Sequence, residues 1–312
     1  MEGVQIQVAH WPWYYISVYF FLGGVAAGSY LLATIADVFG DSREDAPIIR
    51  FGHYVSAILI IICPLLLVAD LGQPLRFWRM LTQFKWDSPV SLGSWGLFLF
   101  GFFSVLSALI WLAQEGRFEQ GALSSVNGLL LRLPRRLIAC IGALFGIFVA
   151  GYTGVLLSAT TNPFWNENPL LGITFLTSAL STAIALVSIL LIWRGHGRLI
   201  GLHNFRSLWL IVLGFELFLV TWEVFFASGG MLLSGQFLFT FGIAVILVGV
   251  IIPLVLLAWK VGQPISNGML VAIAVLVLIG GFFLRYTVLV AGQEFIGSAG
   301  EHAALLLSAL LS

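Results

Sequence analysis

Charge is what this sequence has least of. Asp, Glu, Lys and Arg together make up 9% of its 312 residues, where a soluble domain carries about 25%. Acids and bases number 14 each, so the net charge is zero and no field gathers polyanions. These deficits exclude an ordinary soluble enzyme, a nucleic-acid binder and a disordered segment. Cysteine is nearly absent as well. Cys63 and Cys140 both fall inside apolar runs, which leaves no disulfide framework and no cysteine-based metal or iron–sulfur motif. Histidine is sparse where haem would need it. A dihaem cytochrome b takes about four span histidines as axial ligands. Of His10, His53, His196, His203 and His302, only His53 lies in an apolar run, so neither haem nor metal is expected in this chain. P-loop, H-E-x-x-H and G-x-S-x-G motifs are missing too.

What is abundant is apolar surface. Hydrophobic residues reach 60% and the mean hydropathy is +1.05. A spanning helix needs about 20 mostly apolar residues, and eight stretches meet or approach that: 14–36, 51–68, 92–112, 137–157, 170–193, 207–227, 237–259 and 268–291. The expectation is an all-α integral membrane protein made of one polytopic domain. The first run is long and has no basic leader, so it reads as a retained span rather than a cleaved signal. The tail run Ala303–Leu311 is too short to span and reads as lying against the protein or the interface. Gly24, Gly28, Gly93, Gly96, Gly142, Gly146, Gly151 and Gly154 fall at small-xxx-small spacings and are expected to let helices approach closely.

Eight spans put both termini on one side of the membrane. Arg76, Arg79 and Lys85 are the bases on that side; ten others fall on the opposite side, and Arg285 lies within a span. Bases collect on the cytoplasmic side, which puts both termini outside, in the periplasm of a bacterial inner membrane. Trp11, Trp13, Tyr14 and Tyr15 fit an aromatic belt at that face.

Polar groups within spans are costly and mark function by default. On this topology Asp70, Tyr152, Glu223 and Arg285 lie in the outer parts of their spans, with His10 just before the first span. Glu216 is near mid-depth, and Asp37 and His53 lie near the inner face. Asp70 either caps the helix broken by Gly72 and Pro74, pairs with Arg76 or Arg79, or serves a site. Glu223 and Arg285 form either one buried ion pair or part of a path. Glu216 and Glu223 are seven apart, share a helix face that must point inward, and suit a stepwise proton path that continues to His53 and Asp37.

Six segments, taken in order along the sequence, resemble the NrfD-like family, which contains the membrane subunit of polysulfide reductase. They are YFFLGGVAAGSYLL (Tyr19–Leu32), DLGQPLRFWRML (Asp70–Leu81), SPVSLGSW (Ser88–Trp95), GYTGVLLSATTNPFW (Gly151–Trp165), LTSALSTAIAL (Leu176–Leu186) and FLRYTVLVAGQ (Phe283–Gln293). The resemblance implies a haem-free quinone-binding membrane anchor with its eight spans in two four-helix bundles. It implies a ferredoxin-like iron–sulfur subunit on the outer face and, through it, a molybdopterin or multihaem catalytic subunit. Terminal catalysis then belongs to another polypeptide. The family's quinone ligands are a histidine before the first span, an aspartate ending the second and a tyrosine in the fourth. By position these are His10, Asp70 and Tyr152, for menaquinone or ubiquinone.

The residues themselves agree with that reading. A quinone needs an apolar slot, partners for two oxygens and a group that exchanges protons near neutral pH. Arg76, Arg79 and Lys85, placed against the topological preference, are expected to dock the partner subunit. The alternative is a proton-coupled secondary transporter using Glu216, Glu223 and Arg285.

Overall fold

Lipid offers backbone amides no partner, so a polypeptide that lives there closes its hydrogen bonds within helices. A computed structural model describes residues 13–41, 44–70, 82, 85, 88–118, 124–160, 163–166, 168–200, 203–227, 231–233, 235, 237–259 and 265–311. At 13–14, 69–70, 124–126, 163, 203–204, 226–227, 231 and 295–311 it describes backbone alone. Among the described residues all regular structure is helical. Eight helices are long and apolar enough to cross a membrane: Tyr15–Phe39, Ala46–Val68, Pro89–Gln114, Arg135–Ser158, Leu171–Trp193, Phe205–Phe225, Leu238–Trp259 and Asn267–Glu294. They are called the first to eighth spans below.

Several ends extend a few residues past the apolar runs, and at the third span a polar residue makes the cap. Pro89 takes the first turn of the third span, where its missing N–H costs nothing, and the Ser88 hydroxyl accepts from the Ser91 amide at 3.4 Å. The eighth helix does not end with the apolar run at residue 291. The last helix runs unbroken from Asn267 to Leu311. Gln293 and Glu294 interrupt the hydropathy but not the helical geometry. Its 45 residues measure about 68 Å against a hydrocarbon core of about 30 Å.

The first span packs on the second, the second on the third, the third on the fourth, and the fourth returns to the first. The fifth to eighth spans repeat that order, with the eighth returning to the fifth. The first and fifth spans lie against each other, and contacts from fourth to fifth and from first to eighth flank them. Close approach explains that seam: a Cβ on Gly28 would stand 2.6 Å from the Ala179 carbonyl carbon. Not every glycine at small-xxx-small spacing serves helix approach, however. Gly93, Gly142 and Gly24 make room for the Tyr152 ring, the Tyr30 ring and the Arg285 guanidinium.

The odd spans begin at one end of the molecule, the starting end, and finish at the opposite end. At the opposite end Asp37, fully buried, receives a bidentate bond from Arg135, Nη2 to Oδ1 at 2.5 Å and Nε to Oδ2 at 3.1 Å. Arg135 also reaches Gln114 and lies over the Trp111 ring at 4.5 Å. One cation thereby clamps the first, third and fourth spans. Removing it leaves a buried carboxylate whose remaining cation, Arg136 Nε, is 3.8 Å away. Arg135→Met is expected to destabilise the protein by about 3 kcal/mol, read as a lower melting temperature in detergent. Asp37→Asn added to it should recover part of the loss.

Candidate functional site

Polar side chains gather at two places inside the spans. The first is at the starting end, around Tyr152. This residue lies six positions before the end of the fourth span and is partly buried. Its ring rests over Gly93 and stacks on Phe148, with centroids 5.2 Å apart and planes 24° apart. Its hydroxyl donates to the Pro89 carbonyl at the start of the third span. Tyr19, from the first span, lies within electrostatic range of both Tyr152 and Cys63. The second span's helix ends at Asp70, at the same end of the molecule. His10, Arg76 and Arg79 lie outside the described residues, as does the Asp70 side chain. Lys85 is exposed, and its backbone N–H donates to Ser91 Oγ at 3.0 Å.

The second place is the interior between the fifth, sixth and eighth spans. The fifth span carries hydroxyls at Thr174, Thr177, Ser178, Ser181 and Thr182, spaced so that several share one face. All are buried. Glu223, also buried, accepts from Thr174 Oγ1 at 2.9 Å and from Asn168 Nδ2. It opens a π-helical turn, Glu223–Ala227, a geometry frequent at functional sites. Farther in, Arg285 is fully buried. Its Nη1 donates to Ser178 Oγ at 3.2 Å and to the Gly281 carbonyl at 2.8 Å, and its Nη2 to the Phe175 carbonyl at 3.1 Å. A Cβ at Gly24 would stand 2.6 Å from Nη2, so only glycine leaves space for the head group there.

Of the two readings of Glu223 and Arg285, the buried ion pair is not among the contacts of the described residues. Helical side chains lean toward the N-terminus of their helix, and the Arg285 head accordingly bends back one turn to Gly281. That takes it deeper than Glu223 and into the electrostatic reach of Glu216. The Glu216 carboxyl, buried at mid-depth, has the Ser178 and Ser181 hydroxyls beside it. Glu223 is held by neutral donors instead. Among the described residues, Glu216 Oε2, Arg285 Nε, Thr287 Oγ1 and Trp209 Nε1 are buried without a hydrogen-bond partner. Buried polar atoms of this kind are normally satisfied by ordered water.

Toward the opposite end, His53 is fully buried and neither ring nitrogen has a partner among the described residues. Tyr30 meets its ring edge-on at 4.7 Å. Asp37 is engaged by Arg135 as described above. Among the described residues no group of three or more His, Cys, Asp or Glu is placed to hold a metal ion. Sequence reasoning overlooked Asn168, Thr174, Ser178, Ser181 and Tyr19. The signal for Thr174, Ser178 and Ser181 was the density of hydroxyls in one apolar run; Asn168 lies just before that run, and Tyr19 entered only as the first residue of a segment resembling the family.

Comparison with known proteins agrees with this architecture. The family described as Polysulphide reductase, NrfD matches residues 4–297. The C polypeptide of polysulfide reductase from Wolinella succinogenes is 31% identical, over 95% of the present sequence and 98% of its own. Protein NrfD of Escherichia coli is 29% identical, over 91% and 95%. A Haemophilus influenzae NrfD homolog is 26% identical, over 90% and 94%. Eight apolar helices and a match along nearly the whole length identify the protein as a multi-pass membrane member of the NrfD, or polysulfide reductase, family.

Proposed function

We propose that this protein is the quinone- and quinol-binding membrane subunit of a respiratory oxidoreductase complex. It exchanges electrons between the quinone pool and a partner iron–sulfur subunit on the outer face, in a bacterial inner membrane with both termini outside. A molybdopterin or multihaem subunit beyond that partner carries the terminal chemistry. Family membership supports the role. The observation that carries the site is the Tyr152 phenol, fixed by Pro89 and Gly93 at the end of the molecule where the second helix finishes at Asp70.

The donor set fits a quinone. Menaquinone or ubiquinone supplies a two-electron, two-proton couple when bound. The Tyr152 hydroxyl keeps lone pairs free beside Pro89 O, and rotation about its C–O bond redirects its proton to a ligand carbonyl. The Phe148 ring stacked on Tyr152 gives an apolar wall. His10 holds or releases a proton at the second oxygen, and Asp70 orients that imidazole or relays its proton. Tyr152→Phe removes one hydroxyl and little packing. It should cut quinol-linked turnover at least about tenfold with normal amounts of assembled complex. Wild-type turnover and quinone affinity in this variant refute the site.

Arg76, Arg79 and Lys85 meet an acidic rim of the iron–sulfur subunit in this reading. Arg79→Glu with Lys85→Glu should release that subunit at moderate salt, seen by size exclusion. An intact complex with unchanged electron transfer refutes the docking role.

Glu223, Glu216, His53 and Asp37 step from the outer third to the inner face and are the residues proposed to move protons. Arg285 acts on Glu216 in this scheme. Support comes from the buried hydroxyls beside both glutamates and from the orphaned atoms at Glu216, Arg285 and His53. Glu216→Gln in proteoliposomes of the whole complex should lower proton movement per quinol or slow turnover, with quinone binding near wild type. Unchanged stoichiometry and turnover leave Glu216 a structural carboxylate.

A further inference from the structure

The end of the molecule opposite the quinone site holds a cavity of about 510 Å³ that the proposed electron and proton chemistry does not use. Arg50, Arg117, Arg194 and His196 line it, contributed by the second, third and fifth spans and the turns that follow them. Among the described residues Glu115 is the one carboxylate in its lining, and two guanidiniums share it. Arg50 Nη1 reaches Oε1 at 2.8 Å and Arg117 Nε lies 4.0 Å from Oε2. Three arginines against one glutamate leave a surplus of positive charge in the described lining.

The backbone explains why these cations converge. The third and fifth spans end in the same capping motif. Gly116 has φ 74° and Gly195 has φ 79°, a left-handed conformation that side chains beyond Cα rarely allow. After each glycine the next amide turns back onto the last helical turn, Arg117 N–H to Leu112 O at 3.1 Å and His196 N–H to Leu191 O at 2.7 Å. The preceding amides do likewise, Gly116 to Ala113 and Gly195 to Ile192, each at 3.0 Å. These bonds satisfy helix-end carbonyls that would otherwise repel an anion. They also fix Glu115 and Arg117 on one side of the cavity and Arg194 and His196 on the other.

The rest of the wall is apolar, with Phe51 and Phe118, and Tyr54 leads out of the cavity onto the second span. From Tyr54 the outward face continues through Ile58, Ile61 and Leu65, spaced four, three and four apart and 61%, 56% and 66% exposed. A cationic pocket at the rim of an apolar helical stripe has two halves, one suited to a phosphate and one to a hydrocarbon tail. From this juxtaposition we propose that the cavity binds the phosphate of an anionic glycerophospholipid, such as phosphatidylglycerol, with an acyl tail along Ile58, Ile61 and Leu65. Free phosphate shares the headgroup chemistry but gains nothing from the stripe.

Native mass spectrometry and thermal unfolding of the full-length protein in detergent test this, with phosphatidylglycerol, phosphatidylcholine and inorganic phosphate as probes. Phosphatidylglycerol should bind about tenfold tighter than phosphatidylcholine and raise the melting temperature more. Arg117→Gln with Arg194→Gln, both exposed side chains, should remove most of that preference while the lipid-free melting temperature stays near wild type. Glu115→Gln, which deletes the competing carboxylate, should strengthen it. Arg132→Gln with Arg198→Gln, outside the cavity lining, should leave it unchanged. Equal binding of the two lipids overturns the proposal, as does an equal loss in the Arg132 and Arg198 control. Displacement of the lipid by inorganic phosphate at the same concentration overturns the lipid assignment.

Discussion

A guanidinium buried in the membrane interior must find acceptors on every side, and Arg285 is accommodated by three helices at once. The Phe175 carbonyl and the Ser178 hydroxyl come from the fifth span, and the Gly281 carbonyl from its own helix. The first span contributes only an absent side chain, at Gly24. The place where the first, fifth and eighth spans meet is therefore fixed by one side chain and by the glycine that admits it. Glu216 supplies an opposing charge at the same depth. Changing any one of these groups leaves another unsatisfied in a medium that cannot hydrate it.

Because Arg285 bends toward Glu216, Glu223 is left with neutral partners. That separation gives the two glutamates different surroundings on one helix. Glu223 lies near the starting end with Asn168 and Thr174; Glu216 lies at mid-depth with a cation and two serines. Below Glu216 the interior becomes apolar, with Trp209, Leu213, Ile184 and Leu257 packed together. A proton path continuing to the other face must leave this group of helices and cross toward His53 on the second span, and the orphaned His53 nitrogens mark where water would carry it. In the proposed scheme quinone chemistry sits at one end, and the groups that move protons run from Glu223 and Glu216 in the second half of the sequence to His53 and Asp37 toward the other end.

The span count was legible in composition because hydropathy alone decides it. Inward placement of Glu216 and Glu223 followed from their seven-residue spacing. The partners of those residues were not legible. Which hydroxyl a buried acid meets depends on helix rotation and crossing, and a sequence read one span at a time carries neither. Asp37 illustrates the limit: the base that embraces it, Arg135, lies 98 positions away and read only as a cytoplasmic-side charge. The eighth helix shows the opposite case, where Gln293 and Glu294 ended the apolar run but helical hydrogen bonding simply continued.

The central claim is that the quinone site lies at the starting end among the first four spans, beside Tyr152. Photolabelling the intact complex with an azidoquinone, followed by peptide mass spectrometry, tests this most directly. The account predicts label on the peptide around Tyr152 and at the end of the second span, suppressed by excess unmodified quinone. Competable label confined to the sixth and eighth spans, around Glu216 and Arg285, would contradict it.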